Sequence, residues 1–134
     1  MKIKPSKSEI QVLKRYGVSL VFLFGSHVSG LQRPGSDLDI GVVFHNERER
    51  LKNPVDIFGG LYELFQKLFP SKTIDLVYLR EGSYLFQFRA VMDGKLLYAS
   101  SPTIYADYRE EVLRRYLDFK PVEDAFNQPF LGQP

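Results

Sequence analysis

The stretch FGSHVSGLQRPGSDLDIGVVF, Phe24 to Phe44, decides the reading of this chain. A run of apolar residues, Val18 to Phe24, ends at Gly25-Ser26. Ten residues separate Ser26 from Asp37, and Asp37-Leu38-Asp39 opens a second apolar run that ends at Phe44. Both runs are rich in β-branched and aromatic residues, which predicts strands; the first carries almost no polar residue and reads as buried on both faces. Between them, Arg33-Pro34-Gly35-Ser36 is turn chemistry, and Ser26 to Leu31 is expected to form a short helix. Side chains alternate faces along a strand, so Asp37 and Asp39 share one face while Leu38 and Ile40 point to the other.

Outward from this stretch the chain alternates helical and extended patterns. Ser6 and Glu9 have the spacing of a capping box, which predicts a helix from Lys7 to Tyr16 closed by Gly17. His45 to Asn53 reads as a charged, solvated linker. Asn53-Pro54 is an N-cap followed by a first-turn proline, and Phe58, Leu61, Tyr62, Phe65, Leu68 and Phe69 recur at helical spacing. The pair Gly59-Gly60 weakens that helix and suggests close approach to a neighbour. Lys72 to Leu79 reads as a third strand around one acid, Asp75. Ser83 caps a helix from Tyr84 to Met92, and Lys95 to Tyr98 forms a short fourth strand. Ser101-Pro102 opens a last helix, with Ile104, Tyr105, Tyr108, Val112, Tyr116 and Leu117 on one side, that Pro121 closes. The expected fold is α/β: a mixed sheet of about four strands flanked by helices, with the domain over residues 1–120 and an extended tail over 121–134.

Composition narrows the functional classes. With 134 residues, one domain is expected; 44% hydrophobic residues suffice for a core. The net charge of +2, from 18 basic and 16 acidic residues, gives no broad footprint for nucleic acid. Cysteine is absent, so disulfide and thiolate chemistry are excluded, and two histidines are too few for an ordinary zinc site. No apolar run has the length of a membrane span and the first residues lack a signal-peptide core, so a cytoplasmic protein is expected.

Acids inside apolar strands carry a desolvation cost, so Asp37, Asp39 and Asp75 call for a chemical reason. If the second and third strands are neighbours, three carboxylates meet on one face and repel one another unless cations neutralise them. Two divalent ions would do so, and magnesium suits oxygen ligands supplemented by substrate phosphates. The turn at Gly25-Ser26 offers backbone N–H groups and a hydroxyl to phosphate oxygens. These parts suit phosphoryl or nucleotidyl transfer.

Gly25-Ser26, ten intervening residues, Asp37-Leu38-Asp39 and the later lone acid Asp75 resemble the DNA polymerase β-like nucleotidyltransferase superfamily. Within it the chain is most similar to the minimal nucleotidyltransferase (MNT) antitoxins, over Val18 to Leu79 at least. The resemblance implies that Gly25 and Ser26, with His27 and Ser36 beside them, hold the phosphates of ATP. It implies that Asp37 and Asp39 ligate two Mg²⁺ ions, and that Asp75 ligates the catalytic one and helps deprotonate the incoming hydroxyl. In the MNT group the acceptor is a tyrosine of a partner toxin of the HEPN class, and AMP is transferred to it. Many MNT proteins carry arginine where this chain has His27; Arg33 is a candidate substitute cation. Two rivals stand beside this expectation: a small-molecule nucleotidyltransferase of the aminoglycoside-modifying kind, and a non-catalytic antitoxin that masks its partner by binding.

Overall fold

The computed structural model describes residues 4–25 and 37–131, with side chains as far as Asp118. The expected helix from Ser26 to Leu31 lies outside the described residues. Helix α1 (Lys7–Arg15) begins in the capping box read from the sequence: the Glu9 amide donates to Ser6 Oγ at 3.3 Å, and the Ser6 amide donates to Glu9 Oε1 at 2.7 Å. It ends at Gly17, whose φ of 74° lies in the left-handed region that only glycine adopts at little cost.

Four strands form one mixed sheet: β1 (Val18–Gly25), β2 (Asp37–Phe44), β3 (Thr73–Tyr78) and β4 (Lys95–Ala99). Their spatial order is β3-β2-β1-β4. β1 runs antiparallel to both β2 and β4, and β2 runs parallel to β3. The parallel pair requires a crossover, which is supplied by α2 (Glu47–Arg50) and α3 (Pro54–Leu68). β3 leads through a 3₁₀ turn (Leu79–Glu81) to α4 (Tyr84–Asp93), and α5 (Pro102–Leu131) follows β4.

Helices cover both faces of the sheet, so β1 is buried on both sides, as its continuous apolar character predicts, and β2 is buried from Ile40 onward. On one face Leu38, Ile40, Val42 and Phe44 pack with Leu13 of α1 and with Ile57, Leu61 and Phe65 of α3. On the other, Leu20, Phe22 and Val43 pack with Ala90 and Val91 of α4 and with Tyr108 and Val112 of α5. Ser83 and Ser101 cap α4 and α5 through the amides of Phe86 and Ile104. Among the described residues no helix is long and apolar enough to cross a membrane.

Five local expectations are corrected. The segment from His45 to Asn53 is not a wholly solvated linker. Asn46 caps the single turn α2, and Arg50 at its end is buried against Phe44 and Tyr78. Asn53 makes no side-chain cap; Pro54, pre-set for the first turn, starts α3 without it. The buried stripe of α3 is Ile57, Leu61, Leu64 and Phe65, while Phe58 and Tyr62 stack on each other at its exposed shoulder. Leu117 is 64% exposed, so the buried side of α5 ends before it. Its backbone then remains helical past Pro121 to Leu131. A proline removes one hydrogen bond and crowds the preceding turn, which bends or weakens a helix without always ending it.

The two adjacent glycines of α3 face different surroundings. A Cβ on Gly60 would meet the Tyr16 ring and hydroxyl, whereas one on Gly59 would meet nothing within 4 Å. Gly59→Ala is therefore expected to stabilise the protein by about 1 kcal/mol from helix propensity alone. Gly60→Ala gains the same propensity but must displace Tyr16 from the core edge, so its urea midpoint is expected to fall below that of Gly59→Ala. Equal midpoints for the two variants would show that Tyr16 does not need the space.

Candidate active site

The parallel register of β2 and β3 sets Asp39 opposite Asp75, and the antiparallel register of β1 and β2 sets Phe24 opposite Asp39. Paired residues on adjacent strands point to the same face, so Phe24, Asp39 and Asp75 form one row across the sheet. Asp37 lies two residues before Asp39 on that same face, opposite Thr73. Parallel strands bring both acids to the same end of the sheet, and the antiparallel β1 delivers its own last residue, Gly25, to that end as well.

Asp39 is half-buried; Asp37 and Asp75 are exposed. Burial pushes the Asp39 carboxyl above the ordinary carboxylate range, and the hydrogen bond to Asp75 and the charges of Asp75 and Asp37 push in the same direction. Two carboxylates this close repel one another, and a cation beside them relieves that repulsion. Gly25 adjoins this pair: a Cβ there would come within 3.1 Å of Asp39 Oδ2, and its φ of 100° is again a glycine conformation. The backbone can therefore turn away directly beside the carboxylate.

Among the described residues no group of three metal-capable side chains is closely gathered. What is assembled is the Asp39–Asp75 pair, with Asp37 acting on Asp39 through its charge. This donor set is oxygen-only and anionic, which fits a hard divalent cation whose remaining positions go to water and phosphate oxygens. Ser26, His27, Arg33 and Ser36, read from the sequence as phosphate-side residues, lie outside the described residues. Sequence reasoning passed over Phe24 and Gly41, whose contact with each other depends on the register; an isolated glycine inside a strand is the signal that could have found Gly41.

Comparison with known proteins agrees with this geometry. The family model for polymerase beta, nucleotidyltransferase, matches residues 7–103. Protein adenylyltransferase MntA of Aphanizomenon flos-aquae (strain 2012/KM1/D3) is 30% identical over 112 residues, which cover 79% of this chain and 73% of that protein. A toxin–antitoxin structure solved with AMP-PNP superposes with a TM-score of 0.63 at 25% identity, covering 91% of this chain and 95% of its own. The fold also recurs in the complex of tri-AMPylated Shewanella oneidensis HEPN toxin with MNT antitoxin, at a TM-score of 0.57, 23% identity and 89% coverage of both chains. With β2 and β3 aligning their acids beside a glycine turn, this chain belongs to the polymerase beta nucleotidyltransferase family, as an MNT-type member.

Proposed function

We propose that this protein is a Mg²⁺-dependent adenylyltransferase that moves AMP from ATP to a tyrosine hydroxyl of a HEPN-type toxin, and thereby acts as that toxin's antitoxin in the cytoplasm. One observation carries the reading: the register that sets Asp39 against Asp75 at the strand end where Gly25 turns away. The adenylyltransferase relative and the fold shared with a toxin–antitoxin structure solved with AMP-PNP support the donor and the partner.

In this reading residues 1–120 are the catalytic unit. Asp37 and Asp39 would hold two Mg²⁺ ions, and Asp75 would help hold the catalytic one. When bound, the ions neutralise the triphosphate and the charge that develops during transfer. Gly25 lets the backbone approach the β- and γ-phosphates, with Ser26, His27 and Ser36 supplying further donors. The tyrosine oxygen attacks the α-phosphorus in line. A new P–O bond forms, the bond from the α-phosphorus to the bridging oxygen breaks, and pyrophosphate leaves. Asp75 stands beside Asp39 to receive the tyrosine proton. Positioning and charge neutralisation do the catalytic work.

The test is label transfer from ATP labelled at the α-phosphate, with Mg²⁺ and the candidate toxin, in the wild type and in Asp37→Asn/Asp39→Asn. Label on a toxin tyrosine that requires Mg²⁺ and vanishes in the double variant is expected. No label on any protein, with toxin binding unchanged in the variant, would overturn the enzymatic reading in favour of a masking antitoxin.

A further inference from the structure

Gly41 sits at the centre of β2, two residues beyond Asp39 and on the same face. A glycine inside a strand weakens it unless another group needs the space. Here two groups do. A Cβ on Gly41 would lie 2.9 Å from Phe24 Cε1 and 2.9 Å from Leu79 Cδ2 and Cγ. Leu79 is fully buried and cannot retreat into solvent. Phe24 is further held by Phe86 of α4, edge to face at 5.6 Å between ring centroids. Its ring therefore lies across the bare backbone of Gly41, and its own backbone pairs with Asp39 on one side of the turn and leads directly into Gly25 on the other.

Resting on the proposed nucleotidyl transfer, we infer that Phe24 and Gly41 are positioning residues: the ring, seated in the space that Gly41 leaves beside Leu79, sets the Asp39–Asp75 pair against the Gly25 turn. The aromatic floor transmits the packing of α4 to the one row of side chains that the chemistry uses. Adding a methyl group at Gly41 pushes the ring toward the open end of the sheet, where the carboxylates are, because the buried side is closed by Leu79. A site that must hold a cation and a triphosphate together tolerates only small displacements of its supports.

The experiment uses the full chain, free of metal, and Mn²⁺ as the probe, read by electron paramagnetic resonance. Four proteins are compared: wild type, Gly41→Ala, Gly41→Ala/Phe24→Leu, and Val42→Ala. Val42 is fully buried on the opposite face, so its variant loses core packing without touching Phe24. Gly41→Ala is expected to weaken Mn²⁺ binding about tenfold, the scale of lost support around a metal site. Val42→Ala should lose more stability yet keep its Mn²⁺ affinity within about twofold of wild type. Phe24→Leu should restore part, but not all, of what Gly41→Ala removes, because the shorter side chain vacates the contested space while the support of the ring is lost. Amide resonances of Gly25 and Asp39 in the same metal-free samples should move in Gly41→Ala and stay in place in Val42→Ala. Unmoved Gly25 and Asp39 resonances in Gly41→Ala, Mn²⁺ affinities that merely follow stability, or no recovery with Phe24→Leu would each overturn the positioning role. A wild type that binds no Mn²⁺ while those resonances still respond to Gly41→Ala counts against the proposed function and leaves the positioning supported.

Discussion

Asp39→Asn is expected to reduce label transfer about 10³-fold or more, the scale of losing a group that stabilises developing charge, while leaving the metal-free protein as stable as wild type or more so. The two effects share one cause. In the absence of metal, Asp39 is partly desolvated, bonded to Asp75 and repelled by both Asp75 and Asp37. Asparagine keeps the shape, removes one charge from the cluster, and can donate an N–H to Asp75, which a carboxylate cannot. It is also a poor ligand for a hard cation. Thermal unfolding should therefore show the variant equal to or above wild type in chelator, and below it at saturating Mg²⁺ and ATP. The reversal arises because only the wild type gains the stabilisation that ligand binding confers on the folded state, about 2.7 kcal/mol at a ligand concentration a hundred times the dissociation constant. A variant strongly destabilised in chelator would make Asp39 a structural residue. A variant that Mg²⁺ and ATP stabilise as much as wild type would remove it from the binding site. Such opposition between stability and activity is the usual signature of groups held together against their own repulsion.

Legibility from sequence followed how local each signal is. The bounds of β2, the capping box of α1 and the glycine stop at Gly17 depend on neighbouring residues, and the structure has them where the sequence pattern puts them. The shared face of Asp37 and Asp39 follows from strand alternation alone. Asp75 required one long-range assumption, that β3 lies beside β2; the parallel ladder supplies it. What composition concealed is tertiary. Arg50 sits in a run of charges that reads as solvated, and its burial depends on the rings at the ends of β2 and β3 together with the carboxylates of Glu47 and Glu81. The exposure of Phe58 and Tyr62 turned on a shift of the α3 stripe toward Ile57, since an apolar shoulder and an apolar stripe look alike in sequence. Leu117 was misplaced for the same reason: helical spacing cannot tell where the partner surface ends. The phosphate-side residues Ser26, His27 and Ser36 remain sequence readings, carried by the Gly-Ser motif.

Arg50→Ala is expected to cost about 2–4 kcal/mol of unfolding free energy, the largest loss from removing any one charged side chain among the described residues. Arg50 is 8% exposed although it belongs to a four-residue helix, because four groups hold it. Its Nε donates to Glu47 Oε2 at 2.8 Å and its Nη2 to Glu81 Oε2 at 2.8 Å. Its guanidinium lies 4.6 Å from the centroid of the Tyr78 ring and 5.5 Å from that of Phe44, and these two rings meet edge to face. The side chain thus closes the ends of the two strands whose opposite ends carry the acids. Removing it leaves a cavity over both rings and a Glu47 carboxylate that is only 30% exposed without its cation. Glu81 is 60% exposed and returns to water when its partner is lost, so Glu81→Gln should cost less than about 1 kcal/mol. Arg50→Lys keeps the charge but not the planar fork that reaches both acids while lying over the rings, and should recover less than about half of the loss. Urea unfolding of the three variants tests the ordering. Equal losses in Arg50→Ala and Glu81→Gln would mean that the exposed ion pair, rather than ring stacking and the contact with Glu47, holds this end of the sheet.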